Sequence, residues 1–320
     1  MQGDGVMVRK SISLLCIFLA CALIVVSCKP DASIDDVDST KAVRVWKIGG
    51  VYSFLTNDYF KSLNVDFRAG GWGSAQGACI HDNYLFQFYL GGVLGIYILF
   101  DSFEDATLIR FMAMPSSTWQ SIENPYFNNA VFTHAQNEGE EFPYIYVTDG
   151  KNDVFVLKVT LNSVTVLQRI DISSIAKEMN AIGQAFIVDE KGFMYIEGIS
   201  STSEYILHLR IIPLAEENVI VTMEDVIDSF VFNTSYVFAE SDFQGAFKNG
   251  DSIYSIYGQS RKKGDNTINQ IKIINVPHQC VDTTYNLNGI IDVEPQSINL
   301  WNDMFFVTTH GVGDSYAIEL

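Results

Sequence analysis

The sequence predicts an all-β fold, a five-bladed β-propeller made of four-stranded antiparallel blades. The first observation is a glutamine that stands nine residues before the first apolar residue of a strand-like run in four places. These glutamines are Gln76, Gln184, Gln244 and Gln296. With a fifth copy between the first two, the spacing averages about 55 residues, and repeated four-stranded units at roughly this period are typical of β-propellers.

The second observation is that each copy continues with short runs rich in β-branched and aromatic residues, bounded by turn-forming residues. Such runs indicate strands. The predicted third strands are 95–99, 154–157, 205–209, 270–274 and 315–318, and the predicted outer strands are 107–111, 164–167, 219–222 and 281–287. In the second copy either Asn129 or Gln136 takes the place of the glutamine. Residues 172–179 could form a short helix.

The third observation is a balance between the two ends of the chain. The last copy reaches Leu320 without an outer strand, whereas residues 43–48, before the first copy, have the composition of a strand. We therefore expect the N-terminal strand to close the ring on the last blade, which removes an exposed edge. A sixth, degenerate blade within 43–70 is the alternative. A jelly roll or a sandwich would not explain the period.

The N-terminal segment differs from the rest of the chain. Arg9 and Lys10 precede an apolar run over 12–26, and a small residue and a cysteine follow. This order is typical of a secretory signal. The apolar run is shorter than the ~20 residues that a membrane-spanning helix needs, which favours a cleaved signal over a retained helix. We interpret 1–27 as the signal peptide, 28–42 as a flexible acidic tether and 43–320 as the propeller.

The residues Val25-Val26-Ser27-Cys28 resemble the lipobox of bacterial lipoproteins. The resemblance implies that Cys28 becomes the first residue of the mature chain and carries a diacylglyceryl group. Together, the lipobox and the repeat resemble the propeller-bearing outer-membrane lipoproteins of Bacteroidota. That resemblance implies a lipid-anchored protein of the cell envelope, and it leaves open whether the domain faces the periplasm or the cell surface.

The net charge of the chain, −18, limits its partners. A surface this negative repels nucleic-acid phosphates and anionic lipid headgroups, so neither is an expected partner. Beyond the signal and Cys28 the remaining cysteines are Cys79 and Cys280. They could pair in an oxidising compartment, although two separate buried thiols are the simpler expectation.

The candidate ligand-binding residues lie where loops enter the innermost strands. Gln76, Gln184, Gln244 and Gln296 would stand near the mouth of the central channel, where amides could hydrogen-bond a glycan or another polar ligand. The other reading is that each glutamine satisfies buried backbone groups. Trp72, set between glycines, and His310 are further candidates. The same face is expected to carry Asp149, Asp153, Asp242, Arg261, Lys262, Lys263, Glu294 and Asp314.

Signals for catalysis are weak. The sequence contains no nucleophile elbow, zincin motif, P-loop or dinucleotide-binding glycine pattern, and no histidines at metal-ligand spacing. We name no catalytic residue, metal site or cofactor, and we expect a binding or scaffold module that presents one propeller face to a glycan, peptide or envelope protein. The alternative is a carbohydrate-active hydrolase with paired carboxylates in the channel. Asp66, Asp242 and Glu294 are positioned for that role.

Overall fold

The computed structural model describes residues 44–52, 54–55, 73–115, 127–135, 139–149, 152–200, 203–214, 218–233, 242–258, 269–310 and 314–319. The predictions for the signal peptide, the tether, Cys28, Trp72, Asp66 and 261–263 lie outside these residues. Within the described part of the chain the strands form five sheets, and no helix there is long and apolar enough to cross a membrane.

The strands are given in chain order. The chain begins with β1 (Arg44–Ile48), and blade 1 contains β2 (Phe54–Leu55), β3 (Gly73–His81), β4 (Tyr84–Tyr89), β5 (Val93–Ile98) and β6 (Thr107–Ala113). Blade 2 contains β7 (Phe127–Thr133), β8 (Tyr144–Asp149), β9 (Asp153–Val159) and β10 (Val164–Asp171), followed by the helix α1 (Ser173–Glu178).

Blade 3 contains β11 (Gly183–Val188), β12 (Met194–Ile199), β13 (Ser203–Leu209) and β15 (Val226–Asn233), with β14 (Val219–Ile220) in the connection before β15. Blade 4 contains β16 (Asp242–Asn249), β17 (Ser252–Gly258), β18 (Gln270–Asn275) and β19 (Cys280–Asn286). Blade 5 contains β20 (Pro295–Trp301), β21 (Met304–Thr309) and β22 (Ser315–Glu319).

The five-bladed, four-stranded architecture predicted from the sequence is confirmed. Each of the five apolar clusters in the described residues lies between two neighbouring blades. This explains why second strands such as β8 and β12 are buried along their whole length and read as continuous apolar runs. The outer strands are only partly buried, as in β6, where Thr107, Ile109 and Ala113 are exposed.

The ring is closed by the N-terminal strand, as expected. All five residues of β1 pair antiparallel with β22, from Arg44 opposite Glu319 to Ile48 opposite Ser315. Ile48 is fully buried in the cluster between blades 5 and 1, and Trp46 stacks on Phe103 of blade 1 with ring centroids 4.6 Å apart. Strand β1 therefore completes blade 5 and contacts blade 1. The described residues of 43–70 add only the two-residue β2 to blade 1 and form no sixth blade.

One predicted outer strand is wrong. The run 219–222 does not complete blade 3, because β14 instead pairs parallel with β10 of blade 2, and β15 takes the outer position. The cause is a turn at Met223–Asp225, capped by Thr222 and held by an ion pair from Arg210 Nε to Asp225 Oδ1 at 2.5 Å. This turn reverses the chain just after the β-branched run.

Close packing at the propeller axis accounts for the small residues of the repeat. A Cβ atom on Gly77 would lie 2.4 Å from the carbonyl oxygen of Phe127, so only glycine fits there. Asn129 crosses the axis, donating to the carbonyl of Phe186 (3.1 Å) in blade 3 and accepting from the amide of Ala246 (3.0 Å) in blade 4. At this level the axis is filled by protein atoms.

The structure corrects the assignment of the glutamine's place in blade 2. The ladder between first and second strands shifts register at Gln76/Gly77, at Gln244 and at Gln296, which marks a β-bulge. In β7 the shift falls at Asn128, so Asn129 does not occupy the equivalent position, and the other candidate, Gln136, lies outside the described residues. Strand β11, with Gln184, has no such shift.

The two cysteines of the domain lie in different blades and form no disulfide. Cys79 in β3 is buried, and burial raises the pKa of its thiol. Cys280 in β19 is half-buried rather than buried. The expectation of two separate thiols is confirmed, and that of complete burial is wrong for Cys280.

Closure by β1 predicts unequal costs for two substitutions on the same strand. Ile48→Ala should lower the free energy of unfolding by about 2–4 kcal/mol, because it leaves a cavity in the core between blades 5 and 1. Val45→Ala, at an exposed site, should change it by no more than about 0.5 kcal/mol. Urea unfolding measured by circular dichroism gives both values, and equal effects would contradict the packing of β1.

Candidate functional site

The predicted ligand face is called the upper face here, the end of the propeller where first strands begin and second strands end. Of the residues predicted there, Asp149, Asp153, Glu294, His310 and Asp314 are described and lie at that end. Asp242 begins β16, but its side chain is not described. Trp72, Asp66 and residues 261–263 lie outside the described residues.

Two of these upper-face residues, Glu294 and His310, form one group with Gln244 and Gln296, here called the Glu294 cluster. The amide nitrogens of Gln244 (3.2 Å) and Gln296 (2.9 Å) both donate to Oε1 of Glu294. Nδ1 of His310 lies 3.9 Å from Oε2 of the same carboxylate, and its backbone amide donates to the Glu294 carbonyl at 2.8 Å. Blades 4 and 5 thus bring their two glutamines onto a shared acid.

The Glu294 cluster is partly open to solvent. The side chains of Glu294 and His310 are 27% and 39% exposed, whereas Gln296 is buried. Among the described residues no donor bonds the side-chain carbonyl oxygens of Gln244 and Gln296. The cluster therefore offers amide, carboxylate and imidazole groups in fixed positions, which suits hydrogen bonding to hydroxyl or peptide groups.

The other two glutamines are placed separately. Gln76 donates to Ser74 Oγ (3.0 Å) and to the carbonyl of Ala75 (2.9 Å), within its own strand. Gln184 donates to Asn152 Oδ1 of blade 2 (2.8 Å) and accepts from the Tyr205 hydroxyl (3.2 Å). Both satisfy neighbouring polar groups, and ligand contact by them stays a prediction.

The acids of the β8–β9 turn also have protein partners. The amide of Asp153 donates to Oδ1 of Asp149 at 2.7 Å, and Nη2 of Arg169 donates to Oδ2 of Asp153 at 2.6 Å. This bond to Asp153 raises the pKa of Arg169. The turn is thus tied to β10 of its own blade.

Sequence reasoning missed a buried charged cluster between blades 3 and 4. Glu197 and Glu204 of blade 3 are fully buried, as are Ser255 and Tyr257 of blade 4, and Lys272 is nearly so. Lys272 forms an ion pair with Glu204, and its ammonium lies 4.6 Å from the centroid of the Tyr257 ring. The signal present in the sequence was a charged residue within each of two apolar runs, Glu197 in β12 and Lys272 in β18.

Two carboxyl groups share this cluster with a single ammonium group. Ser255 Oγ lies 2.6 Å from both oxygens of Glu197, and the Tyr257 hydroxyl lies 3.2 Å from Glu197 and 3.0 Å from Glu204. Burial, and then the charge of Glu204, raise the pKa of Glu197 well above its usual value. A protonated Glu197 beside the Lys272–Glu204 ion pair leaves the cluster without net charge, which lowers the cost of burying it.

This carboxyl pair does not have the geometry of a hydrolytic site. A glycosidase pair must flank a substrate and reach water, whereas both acids are enclosed between blades on second and third strands. The described part of the axis is filled at Asn129. Among the described residues, Glu294 is the one acid of the hydrolase alternative whose side chain is seen, and its neighbours are amides and an imidazole.

The comparisons with known proteins concern the fold. No protein-family model matches the chain, and no curated protein matches it. The Nup133 β-propeller domain of Vanderwaltozyma polyspora is similar with 10% identity and a TM-score of 0.37, over 77% of this chain and 70% of that one. The Dos1 propeller is similar with 8% identity and a TM-score of 0.35, over 77% and 68%.

Apo AztD from Citrobacter koseri is similar with 9% identity and a TM-score of 0.31, over 66% of this chain. This chain spans 46% of the AztD chain, and 42% of a matching chain in Polycomb Repressive Complex 2 of Chaetomium thermophilum. At these values the similarities say nothing about function.

The buried cluster predicts a pH-dependent effect of Glu197→Gln on stability. Because the pKa of Glu197 is raised in the folded state, Glu197 makes its full contribution to the free energy of unfolding below its ordinary pKa of 4.5. This contribution is lost as pH rises through the raised pKa. Glutamine cannot ionise, so the stability of the variant relative to wild type should increase as pH rises above about 4.5. Urea unfolding across this range measures the difference, and a difference independent of pH would contradict the assignment.

Lys272→Met should lower the free energy of unfolding by about 3–5 kcal/mol at neutral pH, because it leaves the buried Glu204 without its counter-charge. Lys177→Met on the exposed surface of α1 is the matched control and should change stability by no more than about 0.5 kcal/mol. Equal effects of the two substitutions would mean that the buried ion pair does not hold blades 3 and 4 together.

Proposed function

We propose that this β-propeller scaffold is a lipid-anchored binding module of the cell envelope, which presents its upper face to a glycan, peptide or protein partner. The observation that carries the proposal is the convergence of Gln244 and Gln296 from two blades on the half-exposed Glu294. A propeller scaffold of this kind can mediate protein interactions.

The geometry of the Glu294 cluster supports recognition. Gln244 and Gln296 lie on strands β16 and β20, and Glu294 and His310 directly adjoin β20 and β21. Both glutamines retain a carbonyl oxygen that can accept a further hydrogen bond. Preorganised polar groups of this type give orientation and specificity at little cost in conformational entropy. His310 at the rim adds a group that can donate or accept.

The anchor is a proposal from the sequence. The lipobox-like residues 25–28 and the polar stretch 28–42 support a domain attached through lipid on Cys28 and held away from the membrane by a tether. Several acyl chains hold a soluble domain firmly, where one chain is marginal. The placement that fits best is the outer membrane, on either of its faces.

The hydrolase alternative has no support among the described residues. The closely paired acids Glu197 and Glu204 are enclosed between blades, and the Glu294 cluster contains a single carboxylate. Recognition without turnover is therefore the better reading.

The proposal predicts that the full chain, purified in detergent, binds on a glycan array or captures an envelope protein, and that the Glu294 cluster mediates the binding. Glu294→Gln should weaken binding by about tenfold, because it removes a charge-assisted acceptor. The matched control is Glu224→Gln, which removes an exposed acid of blade 3 at the opposite end of the propeller. An equal effect of both variants would exclude the Glu294 cluster, and absence of any binding would contradict the function.

Lipidation predicts the partitioning of the chain between phases. Wild type should enter the detergent phase of Triton X-114 through its acyl chains. Cys28→Ser should remain in the aqueous phase, and Cys79→Ser should behave like wild type. A Cys28→Ser protein that still enters the detergent phase would contradict the anchor.

A further inference from the structure

A cleft opens on the opposite end of the propeller, here called the lower face, where turns join first strands to second strands. Its volume is about 580 Å³, within the usual range for ligand pockets. The β3–β4 turn, the β20–β21 turn, the end of β7 and the β11–β12 turn contribute to its walls. The cleft is thus built by blades 5, 1, 2 and 3 and is separate from the Glu294 cluster.

The cleft is negatively charged. Asp82, Asp101 and Glu190 line it, and none of the described residues in its lining is a lysine or an arginine. Of the described bases near the β11–β12 turn, Lys248 is already paired with Asp189 at 3.1 Å, and Lys191 follows Glu190 but is not a lining residue of the cleft. The three carboxylates therefore add to the field of a chain whose net charge is −18.

One of the carboxylates, that of Asp101, is held in place by neighbouring polar groups. Oδ1 of Asp101 accepts from the amide groups of Asn83 (3.3 Å) in blade 1 and Asn302 (3.0 Å) in blade 5. Oδ2 of Asp82 lies 3.4 Å from Nε2 of His81. Neutral amides fix the Asp101 carboxylate without cancelling its charge.

His81 does not supply positive charge to the cleft at neutral pH. His81 packs against His134 with ring centroids 4.9 Å apart. Burial, opposed in part by Asp82 and reinforced by His134, lowers the pKa of His81 below 6.5. Its imidazole is consequently neutral at pH 7.

The aromatic lining suits an aliphatic cation better than a sugar ring. Trp301 is 3% exposed, and its ring packs edge-to-face with Phe103 and Phe306, so it offers no open face for stacking. Tyr84 and Phe132 are half-buried in the walls. Such rings can pack along the methylene chain of a cation while carboxylates bind its charged end.

We propose that this lower-face cleft binds the ammonium or guanidinium groups of an organic cation, through Asp82, Asp101 and Glu190. The chemistry is shared by two sources, a free polyamine and the lysine or arginine side chain of a peptide. A metal ion fits less well, because the described residues contain no group of three His, Cys, Asp or Glu side chains arranged to hold one.

The test is isothermal titration of the full chain in detergent with spermidine and, separately, with a short Lys/Arg peptide. The double variant Asp82→Asn with Glu190→Gln removes two charges at exposed sites. Asparagine tolerates the positive φ of residue 82, so this change keeps the turn. Asp101 is left intact because it holds two amides.

We expect the double variant to weaken binding by about tenfold or more. Glu178→Gln combined with Glu224→Gln removes the same charge from exposed sites outside the cleft and should change affinity less than about twofold. Spermidine binding alone would identify a free cation, and tighter peptide binding would identify a partner segment. Absence of binding by both probes, or equal losses in the two double variants, would overturn the proposal.

Discussion

The rest of the structure depends on the pairing of β1 with β22, because each blade is too thin to bury its own apolar faces. Every apolar cluster of the described residues is shared by two adjacent blades, so the ring has five cores and each requires both neighbours. Four of them join blades that follow one another along the chain. The fifth joins the last blade to the first and contains Ile48, which reaches it only because β1 is the outer strand of blade 5.

Closure of the ring also determines where polar groups are available to bind a ligand. The first strands meet so closely at the axis that Asn129 of blade 2 bonds both blade 3 and blade 4, which leaves no open passage at that level. The charged residues between blades 3 and 4 are likewise sealed by packing and stabilise the interface rather than meeting solvent. Recognition is therefore left to the two ends of the propeller, where turns from neighbouring blades bring together residues that are distant in the sequence.

Much of the architecture could be predicted because the residues that recur in the sequence are those that the backbone geometry of each blade requires. Gln244 and Gln296 recur where the first strand bulges, and small residues follow where strands approach at the axis. The partners of the glutamines could not be predicted, since Gln184 bonds a turn of blade 2 and Gln244 bonds an acid 50 residues away. The outer strand of blade 3 was mistaken because a capped turn diverts the run 219–222 to blade 2. Glu197 and Lys272 could not be identified from the sequence, because strands buried on both faces show no alternation of apolar and polar residues that separates inward from outward positions.

The most direct measurement is hydrogen exchange of the backbone amides in residues 44–48 of the full chain. If β1 latches the ring, its hydrogen-bonded amides should exchange as slowly as those of β22, through global unfolding. Rapid exchange in 44–48 while β20–β22 remain protected would show that blade 5 holds together without the N-terminal strand, and it would contradict this account of closure.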